Sequence, residues 1–271
     1  MLDAAAFMAM SPKTILISNE KVSCNPVIRY IYKWNGFITL AGKDSIDDEL
    51  MKKYIKRGYS FVIFPEGKRN DNSSICRFHK GAFLLAERYQ LDILPVIIHG
   101  LNVVLPRNSF QVFPGNITIK VYKRISVEGQ QSYNELTSLV YDFYKCEYKA
   151  LTRELETAVY YVPLVKDRYR YKGVDSYRNV CKNLKHNDNY TKWIDTEDVH
   201  PVVIVKNSGY GEFALLYALV HRNTQVFVFE QDENIASMLT YCAKDIVDNL
   251  EVIDNMDIDK EKYPDAKVFS L

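Results

Sequence analysis

The amino-acid sequence predicts an α/β protein in two parts: a larger first part with a mixed sheet flanked by helices, and a smaller, incomplete second part. Three observations carry that expectation. Short apolar runs alternate with amphipathic segments from residue 13 to residue 155. The chain turns basic and tyrosine-rich after residue 156. A second alternation then begins at Pro201, with a glycine turn between its first two members. These changes divide the chain into residues 1–156 and 157–271.

The elements follow in order. "KTILIS" (13–18) and "GFITLAG" (36–42) read as strands. "SIDDELMKKYIKRG" reads as a helix with Ser45 as N-cap, acids in its first turn, Lys56 and Arg57 in its last, and Gly58 beyond its end. "YSFVIF" (59–64) reads as a buried strand that Pro65 ends. "KGAFLLAERYQ" (80–90) is a helix, "DILPVIIHG" (92–100) an apolar strand and "NITIKVYKRI" (116–125) an alternating strand. A long helix over 132–155 opens with a capping box, Ser132 and Glu135. The stretch 165–193 holds eight Lys or Arg against three Asp, interleaved with tyrosines, and reads as a solvated linker and helix face, with docking on anionic lipid or RNA as the alternative. Beyond it, "PVVIVK", "TQVFVFEQ" and "LEVIDN" are strands, and "GEFALLYALVHR" and "DENIASMLTYCAKDIV" helices.

Composition limits what the chain can do. Its 271 residues are 47% hydrophobic and 25% charged, a balance that buries a core. The formal net charge of +1 provides no global field for a polyanion, so no nucleic-acid partner is expected. Cys24, Cys76, Cys146, Cys181 and Cys242 are odd in number and form no CxxC pair. That argues against a disulfide framework, against a cysteine metal site, and for a reducing compartment. Twenty tyrosines fit amphipathic surfaces beside a membrane or interface, or simple compositional bias. No apolar run approaches bilayer-spanning length, and the opening "MLDAAAFMAM" lacks the basic leader of a signal peptide.

The stretch with most chemistry is "SFVIFPEGKRN". A strand ends at Pro65 and delivers Glu66, Gly67, Lys68 and Arg69 to the edge of a sheet, where open α/β folds place ligands. Gly67 permits close backbone approach, and Arg69 offers a planar fork for phosphate oxygens. Glu66 could orient that arginine or accept from a hydroxyl. On residue types alone, the cluster reads either as a phosphate site or as a solvated turn with a local Glu–Arg pair.

The surroundings resemble the glycerophosphate and lysophospholipid acyltransferase family. Phe64, Pro65, Glu66, Gly67 and Arg69 match that family's F-P-E-G-T-R element, with Lys68 in place of threonine. Lys80, Gly81 and Ala82 match the segment opening the next helix, and Pro95 and Val96 match a P-V pair in the strand that follows. The resemblance covers roughly residues 1–130. It implies transfer of a fatty acyl group from an acyl thioester, of coenzyme A or acyl carrier protein, to the hydroxyl of a phosphate-bearing lysolipid or glycerol phosphate. It implies no cofactor and no metal. Glu66, Gly67 and Arg69 would hold the acceptor phosphate, with Lys43 the nearest cation where the family carries an arginine. His79 and His99 lack an Asp at motif spacing and read as structural. The family's base is a His in an H-x-x-x-x-D motif, and Asp3 fits its Asp, the orienting catalytic residue. Its His would then precede residue 1. On that reading the chain is an N-terminally truncated fragment that folds and binds ligand with almost no turnover, because loss of a general base removes roughly 10²–10⁴-fold in rate.

"PVVIVKNSGYGEF" followed by "QVFVFEQD" resembles the first βαβ unit of class I S-adenosylmethionine-dependent methyltransferases, a Rossmann-like fold. Gly209 and Gly211 match the last two motif glycines, and Glu230 the acid that binds ribose hydroxyls. Val205 stands at the motif acid and Asn207 at the first glycine, so S-adenosylmethionine binding is expected to be weak or absent. The order of parts resembles the end of bacterial fusions of a membrane transporter, an acyltransferase and a methyltransferase-like domain. That implies covalent attachment to a larger membrane protein, a membrane surface as partner and the cytoplasmic face of the membrane as location. The alternatives left open are an S-adenosylmethionine-dependent methyltransferase and a non-catalytic lipid-binding fragment.

Overall fold

The structure, a computed structural model, describes residues 13–19, 38–40, 47–68, 74–105, 112–127, 132–186, 188–206, 208–254, 263 and 265–270. The chain divides into two compact units. The first draws on Met1–Asn102 and Thr118–Lys149, the second on Val103–Ile117 and Ala150–Leu271.

In the first unit, strand β1 (Thr14–Asn19) lies between β2 (Ile38–Leu40) and β3 (Ser60–Val62), all parallel. Ile17 pairs with Ile38 on one side, and Ile15 with Phe61 on the other. Consecutive residues Ile15, Leu16 and Ile17 are all buried, as a central strand covered on both faces requires. Helix α1 (Asp48–Lys56) drops Met51, wholly buried, onto Ile15 and Ile17. Its N-cap is Asp47, whose carboxylate accepts from the N–H groups of Glu49 and Leu50 at 3.0 and 3.2 Å. This corrects the expected Ser45 cap, which lies outside the described residues; an aspartate caps as well as a serine, and here it sits two residues closer to Met51. Gly58, at φ +74°, ends the helix by donating to the Ile55 carbonyl.

Strand β3 is shorter and less buried than expected over 59–64. Among the described residues it pairs only with β1, so Phe61, Val62 and Ile63 are half-buried and Phe64 is 36% exposed. Helix α2 (Gly81–Tyr89) follows, then β4 (Val96–His99), which pairs antiparallel with β5 (Thr118–Val121) through Val96–Val121 and His99–Thr118. Parallel and antiparallel pairs together make the unit a mixed α/β fold. Among the described residues after β4 is a short helical turn, α3 (Leu101–Val104), whose last two residues belong to the second unit. Helix α4 (Tyr133–Leu155) begins with the expected reciprocal box: Ser132 N–H donates to Glu135 at 3.1 Å, and Glu135 N–H to the Ser132 hydroxyl at 3.4 Å. Leu136 and Val140 of α4 pack on Phe83 and Ala86 of α2 and on Phe78.

In the second unit the stretch expected as a solvated linker and helix face lies in three helices, α5 (Ala158–Tyr169), α6 (Val174–His186) and α7 (Asp188–Thr196), and is partly buried. Tyr169, Val180 and Ile194 from these helices are wholly buried in the unit's core. Arg170, Arg178, Lys182, Lys185 and Lys192 are exposed, while Lys166, Arg168 and Lys172 are half-buried; burial of the apolar stripe, not the charge count, decides the fold of such a segment. A parallel sheet follows: β6 (Val202–Lys206), β7 (Gln225–Phe229), β8 (Leu250–Ile253) and β9 (Lys267–Ser270), ordered β8-β7-β6-β9. Within the unit this order is 3-2-1-4, reversing between β6 and β9. Helix α8 (Glu212–Val220) is buried from Glu212 through Leu219, and α9 (Glu233–Ala243) is capped by the Asp232 carboxylate.

Candidate functional site

Past β3 the chain bends sharply. Gly67 N–H donates to the Phe64 carbonyl at 3.1 Å, closing a tight turn, and His79 N–H donates to the Pro65 carbonyl at 2.7 Å, tying the turn to the segment before α2. Gly67 sits at φ +64°, in the left-handed region that favours glycine. A Cβ there would lie 2.8 Å from His79 Cδ2 and 2.9 Å from Nε2. The imidazole therefore lies against the bare face of Gly67.

Glu66 turns inward. Its Oε2 accepts from the Cys76 N–H at 2.8 Å. Burial pushes its carboxyl above the ordinary value, while the Cys76 N–H pulls the other way. Tyr144 of α4 forms the floor. Its hydroxyl accepts from the Val96 N–H at 2.9 Å and donates to the Val96 carbonyl at 3.2 Å, and its ring meets Phe78 edge-on at 5.3 Å. Burial first, and then the Glu66 charge, raises the Tyr144 phenol, so it stays neutral. Lys80 is drawn to α4: its ammonium donates to Asn134 Oδ1 at 2.6 Å and lies 5.9 Å from the Tyr133 ring centre.

Of the residues singled out in the sequence, the structure brings Glu66 and Gly67 together with His79. Arg69, Lys43 and Asp3 lie outside the described residues. The inward set of Glu66 assigns it a positioning role: one oxygen holds the Cys76 backbone, which anchors the return of the chain toward α2. Sequence reasoning missed Cys76 and Tyr144. Their contacts with Glu66 and Val96 span 10 and 48 residues, and no local pattern marks them. His79 had a signal in its place immediately before Lys80–Ala82.

The second candidate cluster lies at the end of β6. Gly209 and Gly211, at φ +62° and +82°, form the turn into α8. Gly211 N–H closes it on the Ser208 carbonyl at 2.9 Å. Glu230 stands at the end of the neighbouring β7, where its Oε1 accepts from the Asp232 N–H at 2.9 Å. Glu212, 5% exposed, accepts from the Tyr210 N–H at 3.1 Å and from Asn183 Nδ2 at 2.7 Å. Burial raises its carboxyl against both hydrogen bonds.

Comparison with known proteins bears on the first cluster. Residues 1–99 match the family model described as Acyltransferase. Over 158 residues the chain is 25% identical to a 1-acyl-sn-glycerol-3-phosphate acyltransferase of Cocos nucifera, covering 53% of this chain and 49% of that protein. Over 81 residues it is 31% identical to the 1-acyl-sn-glycerol-3-phosphate acyltransferase beta of Homo sapiens, 30% of this chain and 29% of that protein. Among solved structures, the 1-acyl-sn-glycerophosphate acyltransferase PlsC from Thermotoga maritima aligns with a TM-score of 0.45 at 23% identity, covering 52% of this chain and 57% of that chain. The chain spans about half the length, or less, of these curated relatives.

Proposed function

We propose that the first unit carries the acceptor side of an acyltransferase, which moves a fatty acyl group from an acyl thioester to the hydroxyl of a phosphate-bearing lysolipid or glycerol phosphate. The observation that carries this reading is the match of residues 1–99 to the acyltransferase model, which contains the turn at Pro65–Lys68. The turn's geometry supports it. The Phe64 and Pro65 carbonyls and one Glu66 oxygen are consumed internally, which stiffens the turn and leaves the exposed Lys68 at its tip. Arg69, next in sequence, would add a bidentate fork for the acceptor phosphate. Transfer by direct attack of the acceptor hydroxyl on the thioester needs no cofactor: the hydroxyl proton leaves to a base as the C–O bond forms, and the thiol departs. The acceptor lipid would be met at a membrane surface. No helix among the described residues is long and apolar enough to cross a membrane.

Calorimetric titration with lysophosphatidate and glycerol 3-phosphate tests this reading. Arg69→Ala is expected to weaken both by about 1.5–3 kcal/mol, the worth of a charge-assisted hydrogen bond, and Arg69→Lys to restore only part of it. Equal affinity of wild type and Arg69→Ala would refute the assignment.

A further inference from the structure

We infer that the glycine turn of the second unit is occupied from within: Glu212, Leu239, Tyr169 and Asn183 fill the places a nucleotide or other anion would take, and the turn serves as an internal docking point for the helices around it. This inference is independent of the acyl-transfer reading.

Three groups at such a turn ordinarily receive a ligand: the bare faces of its glycines, its free backbone N–H groups, and the start of the following helix. Here protein covers both glycine faces and takes the Tyr210 and Gly211 N–H groups. A Cβ on Gly211 would lie 2.5 to 2.9 Å from three carbons of Leu239, so α9 has moved into the space that glycine opens. A Cβ on Gly209 would lie 3.7 Å from both Glu212 carboxylate oxygens, so the other bare face is covered by an acid from the chain itself. The Tyr210 N–H is spent on that same carboxylate, and the Tyr210 carbonyl accepts from the Tyr169 hydroxyl at 2.7 Å. Asn183, from α6, holds the other Glu212 oxygen.

The charge decides what the turn excludes. A carboxylate already sits where a phosphate or carboxylate ligand would bring its own, and two anions at one helix start repel. Among the described residues the buried Ser208 hydroxyl finds no hydrogen-bond partner, and at 4% exposure it offers little surface to a ligand. S-adenosylmethionine, the group a Rossmann-like reading of this unit implies, is no net anion, but it does not fit the residues present, because Leu239 and Glu212 already cover the glycine faces it would approach. Glu230 keeps a position beside the turn, and with the turn closed it has no anchored ligand to address.

The test combines titration with chemical rescue on the full chain. Wild type is expected to give no calorimetric binding with sodium pyrophosphate or with S-adenosylmethionine. Glu212→Ala removes the internal carboxylate and should melt several degrees lower. Sodium formate should restore part of that loss, relative to sodium chloride of equal ionic strength, and leave wild type unmoved. Binding of either probe to wild type, a Glu212→Ala chain that melts with wild type, or one indifferent to formate would each overturn the inference. Should Glu212→Ala not fold, hydrogen exchange at the Tyr210 amide of wild type decides. Slow exchange unchanged by millimolar pyrophosphate supports a closed turn, and fast exchange or slowing by pyrophosphate refutes it.

Discussion

Gly67 carries two constraints at once, a positive φ and the imidazole of His79 against its bare face. Gly67→Ala must therefore pay for left-handed backbone, about 1–2 kcal/mol, and also displace the ring. In a Gly67→Ala, His79→Ala double variant the collision disappears and only the backbone part remains, so the double variant should lose less stability than the sum of the singles. Urea midpoints of the three variants measure this, and strict additivity would show the contact to be unimportant. Glu66 has a signature in pH. Burial raises its carboxyl above the ordinary 4.5, so the folded chain holds that proton more tightly than the unfolded chain. Its contribution is fully present below 4.5 and is lost as pH rises through the folded value. Glu66→Gln keeps an acceptor for Cys76 and cannot titrate. The stability of Glu66→Gln relative to wild type should climb from pH 4.5 upward; a gap that stays constant with pH argues against a desolvated carboxyl.

At the scale of elements, helix ends in the second unit are closed by donors from distant segments. Asn249, 8% exposed, gives its side-chain N–H groups to the carbonyls of Ala218, His221 and Thr224 at 3.1, 3.1 and 2.8 Å, closing the end of α8 and the turn beyond. Arg168 of α5 does the same for α9, reaching the carbonyls of Cys242, Tyr241 and Lys244 at 2.8, 3.1 and 2.7 Å. A helix leaves its last four carbonyls without partners, and a buried acceptor left unmade costs about 1–3 kcal/mol. Asn249→Ala should lose stability in that range. Asn249→Asp should lose more at neutral pH, because a carboxylate then faces three carbonyls with no proton to give. The fluorescence of Trp193, whose ring meets Phe269 edge-on at 4.6 Å in the same unit, follows the transition. An aspartate variant as stable as the alanine one would show that these carbonyls find other donors.

For the whole molecule, charge is the governing number. At a formal +1 near pH 7, the chain passes through zero net charge just above neutrality, with 35 basic residues nearly matched by 34 acidic ones. Self-repulsion is then smallest, and solubility measured by precipitant titration should reach its minimum there and improve on either side. A minimum far from neutrality would mean that several carboxyls beyond Glu66 and Glu212 titrate away from their ordinary values.

What the sequence determined by itself was most of what depends on neighbours a few residues apart. The alternation of apolar runs placed eight strands close to where they lie, Gly58 ended α1, and Ser132 with Glu135 opened α4, because a cap or a strand repeat is written within one turn of chain. The turn at Pro65–Lys68 was legible as a turn for the same reason. Only the tertiary structure decided the rest. Residues 165–193 became helices because Tyr169, Val180 and Ile194 found a core to enter, and the run of lysines and arginines around them says nothing of that. Glu66 points to Cys76, Tyr144 to Val96, Asn183 to Glu212 and Leu239 to Gly211 across 10 to 48 residues of chain. A buried polar group or an open glycine face must be satisfied by whatever the fold brings near, and which residue that is depends on packing, which no local stretch of sequence contains.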